Sequence, residues 1–381
     1  MKILHYIPSI SDHDLVSDYV RLLVSSMSNL AEVKVSSQSK EAMRLLTDFA
    51  PDILHVHACW SYEAFQLVSN AYLTGMAIIL SPHGGLDSYP RKNEQQLTKL
   101  AKTATYQYQT VRCADALLAT SEKEQQEILQ LGWKKRIGTV ASPLLDSRLS
   151  PQELATQMTA FYQKIIDTRY ARLMKAEERE AICSLLHAAM AEPSRRTVLA
   201  SDKILTLRGI KPVQWRRIML FAEDEDIRGL IDQGITRMQL SVPAIDATAI
   251  DRFKPTHPKA TGPLPADKLL ADGNETPSMP NIDKPLVSLY IQICNARYHL
   301  RHHTFSMHHL ADLYRTVKFE DYDEVEFEVL IKAQKLKMLT SRLISVMAEM
   351  LYLEEGFMPT APLNDTKAQH IKQALLRIPE P

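Results

Sequence analysis

The sequence predicts an α/β protein: a doubly wound, Rossmann-like parallel sheet followed by an α-helical region. Three observations carry this expectation. Short apolar runs alternate with helical-period segments over residues 1–145, the pattern of a parallel sheet with crossover helices. The alternation stops after Asp146, and helical periodicity alone continues. Glycine is scarce, 11 in 381 residues, so few tight turns and much helix are expected.

The elements follow in order. Lys2–Ile7 is an apolar first strand. Leu15–Leu30 places Leu15, Val16, Tyr19, Val20, Leu22, Leu23 and Met27 at helical spacing. Val33–Ser36 is a second strand, Glu41–Phe49 a helix and Ile53–His57 a third strand. Tyr62–Leu73 reads as helix, Ala77–Leu80 as strand and Glu94–Arg112 as a long helix. Ala116–Ala119 and Ile137–Ala141 read as strands around the helix Glu122–Leu131. The right-handed crossover rule leaves few topologies, and the strand order 3-2-1-4-5-6 is expected. Ser150-Pro151-Gln152-Glu153 is a capping box with proline at the first helical position, and it opens a helix through Tyr170. Further helices are expected at Ala181–Met190, from Lys211-Pro212 onward, and over most of 286–381. Between them Ser241–Pro285 holds eight prolines without apolar periodicity and reads as an extended linker. The expected divisions are 1–147, a Rossmann-like domain; 148–240, helical; 241–285, Pro-rich linker; and 286–381, C-terminal helical region.

Composition narrows the function. Formal net charge is zero, so no basic stripe argues for nucleic acid. The four cysteines, Cys59, Cys113, Cys183 and Cys294, show no metal-ligand spacing and read as reduced thiols of a cytoplasmic protein. No apolar run reaches the roughly 20 residues of a membrane span, and the opening Met1–Pro8 is too short for a signal sequence. A peripheral position at the inner face of a membrane is the alternative localisation. No Walker loop, GxGxxG or GxSxG occurs, so phosphoryl, hydride and acyl transfer lack support.

Two segments carry the candidate chemistry. Asp52-Ile53-Leu54-His55-Val56-His57-Ala58-Cys59-Trp60 and Ile78-Ile79-Leu80-Ser81-Pro82-His83-Gly84-Gly85-Leu86-Asp87 are each an apolar strand ending in a His-bearing loop. In open α/β sheets ligands sit at the carboxyl ends of strands. Histidine, serine and aspartate there can hydrogen-bond a sugar, and Gly84 and Gly85 let backbone amides approach it. With Lys2–Ser9, Asp115–Ser121 and Gly132–Pro143, these segments resemble the acceptor (N-terminal) half of a family-4 GT-B glycosyltransferase over residues 1–150. The resemblance implies a hexosyltransferase-like protein of bacterial surface-polysaccharide synthesis. It makes His83 the catalytic candidate and His57, Trp60, Ser81, Gly84, Gly85 and Asp87 the substrate-binding candidates. It implies a sugar acceptor, a nucleotide sugar as donor substrate, no further cofactor and no metal.

The chain departs from that pattern. Where the family has a Gly-Gly loop after its first strand, this chain has Ile10-Ser11-Asp12-His13-Asp14, whose carboxylates would repel a diphosphate; Asp12 or Asp14 is also a natural helix N-cap. No donor-binding half is legible after Asp146. Glu320 and Glu328 have the family's Glu-x7-Glu spacing but lie in an acidic stretch with no strand or glycine loop. His299 and His303, four apart, have a chelating spacing yet read as a solvent-facing helix end. Trp215 and the methionines Met307, Met338, Met347, Met350 and Met358 read as core, or as a surface for a protein partner. The alternative to an enzyme is therefore a non-catalytic scaffold, a pseudoenzyme keeping a degenerate acceptor domain and docking through its helical tail.

Overall fold

The computed structural model describes residues 1–86, 96–146, 148–192, 199–254, 259 and 284–378. The chain forms two compact units: Met1–Arg169 with Asp251–Phe253, and Tyr170–Ile250 with Lys254–Pro381.

The first unit is a six-stranded sheet of β1 (Lys2–Tyr6), β2 (Glu32–Ser36), β3 (Ile53–Val56), β4 (Ala77–Leu80), β5 (Ala116–Ala119) and β6 (Ile137–Thr139). All neighbours are parallel. The order is β2-β1-β3-β4-β5-β6, not the expected 3-2-1-4-5-6. Burial explains the correction. Every residue of β3 is buried, so β3 needs a neighbour on each side. In β2, Glu32 and Lys34 are exposed and Val33 and Val35 only half-buried, as suits an edge. The order reverses between β1 and β3, which makes their carboxyl ends the switch point at which such sheets bind ligands.

Helices cover both faces. On one side α2 (Ser39–Asp48), α3 (Tyr62–Leu73), α5 (Tyr108–Cys113) and α6 (Glu122–Leu131) pack on Leu4, Leu54, Val56, Ile78, Leu80 and Leu117. On the other α1 (Leu15–Met27) and α7 (Pro151–Thr168) pack on Ile3, Ile53, Ala77, Ile79 and Leu118. Helix α4 (Gln96–Lys102) reaches α5 through a π-helical turn, Thr103–Gln107. The capping box at Ser150 forms as the sequence indicates, but α7 stays with the sheet, so this unit runs past residue 147 to Arg169. Phe161 of α7 lies on Gly138 of β6, where a Cβ would enter its ring.

The amino edge of the sheet is locked. Asp52 accepts a hydrogen bond from the Lys2 backbone N–H. Asp115 accepts from the Ile78 N–H and pairs with Arg169, which is itself buried and donates to the Gly75 carbonyl. Both motif aspartates thus face away from the ligand edge.

The second unit is helical throughout its described elements: α8 (Tyr170–Leu173), α9 (Ala176–Met190), α10 (Ser201–Gly209), α11 (Pro212–Asp224), α12 (Arg228–Arg237), α13 (Lys284–Arg301), α14 (Met307–Phe319), α15 (Glu324–Ala333), α16 (Lys337–Leu351) and α17 (Thr366–Leu375). One core joins the two expected helical regions. Buried Glu225 ties them, accepting from Arg377 and from the Met307 N–H. Trp215, Met307, Met347 and Met350 are core, whereas Met338 is exposed. Glu328 pairs with Lys332 and Lys337. His299 is not a solvent-facing residue: it is 3% exposed, bonded to Thr304 and stacked on His309. The turn of chain after α13 folds back over it. Of the Pro-rich segment, residues 241–254 are irregular and most of the remainder lies outside the described residues. No helix of the described residues is long and apolar enough to cross a membrane.

Because Gly138 has no room for a side chain, Gly138→Ala should destabilise the first unit by about 1–3 kcal/mol. Phe161→Leu in the same chain should recover part of that loss. Urea unfolding of the three proteins measures both effects, and an unchanged midpoint in the single variant would refute the packing described.

Candidate functional site

Strand periodicity places the histidines. Successive residues of a strand face opposite sides, so His5 shares the face of Ile3, and His55 and His57 share that of Ile53. His5 and His55 are also register partners. Three imidazoles thus meet beneath α1 and α7, all at most 3% exposed. His83, in the loop after β4, completes a column. His5 Nδ1 lies 2.9 Å from His57 Nε2, and His57 Nδ1 lies 2.9 Å from His83 Nε2. His55 stands beside it, 2.7 Å from both the Tyr162 hydroxyl and Ser81 Oγ. A neutral imidazole has one N–H and one lone pair, so His57 donates to one neighbour and accepts from the other.

Burial keeps the column uncharged. It lowers His5 to about 3. It lowers His83 to about 4, against the opposing pull of Glu124 and Asp14. His55 and His57 fall well below the ordinary imidazole value, through burial first and neighbouring histidines second. The nitrogens of His5, His55 and His57 lie within 4.8 Å of one another, which raises the question of a metal. Both nitrogens of His55 and of His57 are already hydrogen-bonded. No carboxylate belongs to the group to offset a buried dication. The set fits a hydrogen-bonded column better than a metal centre.

Above His83 is a cavity of about 260 Å³, lined by residues of α1 (Leu15, Val16, Tyr19), of the β4 loop (His83, Gly84), of the start of α6 (Thr120, Ser121, Glu124) and of the β6 loop (Ser142, Leu144, Leu145). Among the described residues its lining has one carboxylate and no lysine or arginine. Glu124 clasps two of these loops. It accepts from the Gly84 N–H at 2.9 Å, and from the Thr120 N–H and hydroxyl at 2.7 and 2.8 Å. Tyr19 is 2% exposed, and its hydroxyl oxygen has no hydrogen-bond partner among the described residues. Burial, then Glu124, raises its pKa, so it stays a neutral phenol able to donate and accept.

The loops around this edge carry backbone strain. His13, Trp60 and His83 have φ of 65°, 61° and 49°, unusual for residues with side chains and frequent at functional sites. Trp60 is held in place by Gln107, which accepts from its N–H, and by Tyr106, which donates to its carbonyl. Both belong to the π-helical turn, a feature often found at such sites.

Of the residues singled out in the sequence, His83 and Gly84 line the cavity. His57, Trp60, Ser81 and Gly85 stand behind it. His57 and Ser81 are buried and bonded to histidines. The Trp60 indole donates to the Gly85 carbonyl at 2.8 Å. Gly85 sits tight against Cys59 and the Pro82 carbonyl, 3.1 and 2.9 Å from where its Cβ would stand. Asp87 lies outside the described residues. Asp14 is the N-cap of α1.

The correspondence with known proteins is confined to this unit. Residues 20–141 match the model of the glycosyl transferase 4-like domain. The first unit carries a glycosyl transferase 4-like domain. No curated protein and no solved structure matches the chain. In the first unit, sequence reasoning missed His5, Tyr19, Thr120, Glu124 and Ser142. Two had signals: the period-2 alternation from Ile3 aligns His5 with His55, and Ser121-x-x-Glu124 is a capping-box pattern.

The column makes stability fall with acid. In the unfolded chain these histidines protonate near 6.5; in the folded chain they resist it down to about 3 for His5 and about 4 for His83. Unfolding therefore takes up protons as pH drops below about 6.5, and stability is lost progressively toward pH 4. Four such groups give a slope of up to about 5 kcal/mol per pH unit. Urea midpoints of β3 and β4 amides, read by pulsed hydrogen exchange, should drop steeply from pH 7 to pH 5.5. A flat profile would contradict a buried, neutral column.

Proposed function

We propose that this protein is of glycosyltransferase type and binds a sugar acceptor in the His83 cavity, with a role in bacterial surface-polysaccharide synthesis. One observation carries the reading: a small cavity, lined among the described residues by hydroxyls and a histidine, at the carboxyl edge of a glycosyl transferase 4-like domain. At about 260 Å³ it falls below the roughly 300–1,000 Å³ of sites for larger ligands. It suits one sugar ring rather than a whole nucleotide sugar.

His83 then acts as a hydrogen-bonding group and a weak base. With a pKa of about 4 it is neutral at pH 7, and its bond to His57 holds its ring against the cavity wall. It orients an acceptor hydroxyl. Transfer from a nucleotide sugar also needs positive charge or aligned donors on the departing diphosphate, and among the described residues the lining of this cavity supplies no cation. That observation, with a second unit whose described elements are all helices, favours a second reading: a non-catalytic, sugar-binding scaffold that docks a protein partner through its helices.

Calorimetry of the full chain against methyl glycosides of glucose, galactose and N-acetylglucosamine, and against UDP- and GDP-sugars, tests the reading. The expected result is glycoside binding near ~1 mM, weakened about tenfold or more in His83→Ala, a loss of at least about 1.4 kcal/mol. The affinity should stay constant from pH 8 to about 5.5, because His83 does not titrate there. If no glycoside or nucleotide sugar binds, the sugar-site reading fails.

A further inference from the structure

The histidine column has two possible directions, and its ends decide between them. His5 Nδ1 and His57 Nε2 share one hydrogen, as do His57 Nδ1 and His83 Nε2, each pair 2.9 Å apart. A neutral imidazole carries a single N–H. Only two arrangements then satisfy both contacts. In one, every ring is protonated on Nδ1, and the spare N–H is on His83. In the other, every ring is protonated on Nε2, and the spare N–H is on His5. The rings switch together, because reversing one contact reverses the other.

The two ends are unlike. His5 Nε2 is shut off from solvent and has no hydrogen-bond partner among the described residues. Buried N–H groups without an acceptor are rare, and under-used lone pairs somewhat less so. The bare lone pair is therefore the better orphan at the foot of the column. His83 is the member of the column that lines the cavity. Its Nε2 is taken by His57, which leaves Nδ1 for the cavity. Two carboxylates, Glu124 and Asp14, act on this ring. Their field attracts an N–H and repels a lone pair. Burial at the foot and charge at the head select the same arrangement.

We infer that the column is a one-way row of Nδ1–H tautomers, in which His57 is a positioning residue that fixes His83 with its N–H toward the cavity. The ligand must then offer an acceptor at that point. A neutral hydroxyl, ether or ring oxygen fits, whereas an anion would also meet Glu124 and Asp14. This deepens the sugar-site reading above: the ligand requirement rests on that reading, and the tautomer does not. To take a hydrogen from a ligand hydroxyl at Nδ1, the whole row must reverse and leave His5 with a buried, unpaired N–H. His83 therefore donates in the bound complex.

Long-range nitrogen-15 correlation spectra of the histidine-labelled full chain at pH 7 locate each ring proton. His5, His57 and His83 should each be protonated on Nδ1 and bare on Nε2. Protonation of His57 or His83 on Nε2 overturns the inference. Methyl glycosides of glucose, galactose and N-acetylglucosamine are then added in turn. A glycoside that binds should shift the His83 Nδ1–H signal while the proton stays on Nδ1; its transfer to Nε2 on binding overturns the ligand requirement. If none binds, the sugar-site reading fails, and the tautomers stand or fall on the spectrum of the free protein. His57→Phe removes the N–H given to His83. It should split His83 between its two tautomers and weaken the glycoside by roughly three- to tenfold. His57→Asn, whose amide donates from nearly the same place, should restore the Nδ1–H form. An unchanged His83 spectrum in His57→Phe overturns the positioning role.

Discussion

The first unit depends on a column of imidazoles that must remain neutral. His5, His57 and His83 run from the floor of the sheet to the cavity wall through two hydrogen bonds of 2.9 Å. Each imidazole is polar enough to need a partner in the interior and close enough to its neighbours to be one. A charge anywhere along the column would be buried without a counter-ion inside it. The fold therefore stabilises a set of groups that are individually awkward in a core, and only in one protonation state. What reaches the cavity is a histidine whose ring position is set by residues that do not line it.

The two edges of the sheet divide their work. At the amino edge, Asp52, Asp115 and Arg169 tie strand starts to one another and to the end of α7. At the carboxyl edge, left-handed residues, a π-helical turn and the Glu124 clasp hold the loops in shape around an opening. Strain and buried polar groups gather on the side where α/β sheets bind ligands.

Much of the fold was legible because periodicity reports burial. The alternation of strand and helix, the capping box at Ser150 and the change after Asp146 all appear in the structure. The strand order was not read correctly, although Glu32 and Lys34 in β2 mark an edge strand beside the fully buried β3. The site was legible only in part. His83 and Gly84 stand out because they open a polar loop at the carboxyl end of an apolar strand. Tyr19 does not, because it sits in an ordinary amphipathic helix, and the capping-box pattern at Glu124 marks a helix start, not the cavity both residues line. His299 shows the converse: a residue that reads as surface from its helix-end position is buried by the chain that follows it.

The central claim is that the column is neutral and internally hydrogen-bonded. Imidazole nitrogen-15 spectra of histidine-labelled full-length protein test it most directly. At pH 6 they should show His5, His55, His57 and His83 each with one protonated and one bare ring nitrogen, and coupling across the His5–His57 and His57–His83 bonds. Imidazolium shifts for any of the four at that pH, or titration of His57 near 6.5, would contradict the account.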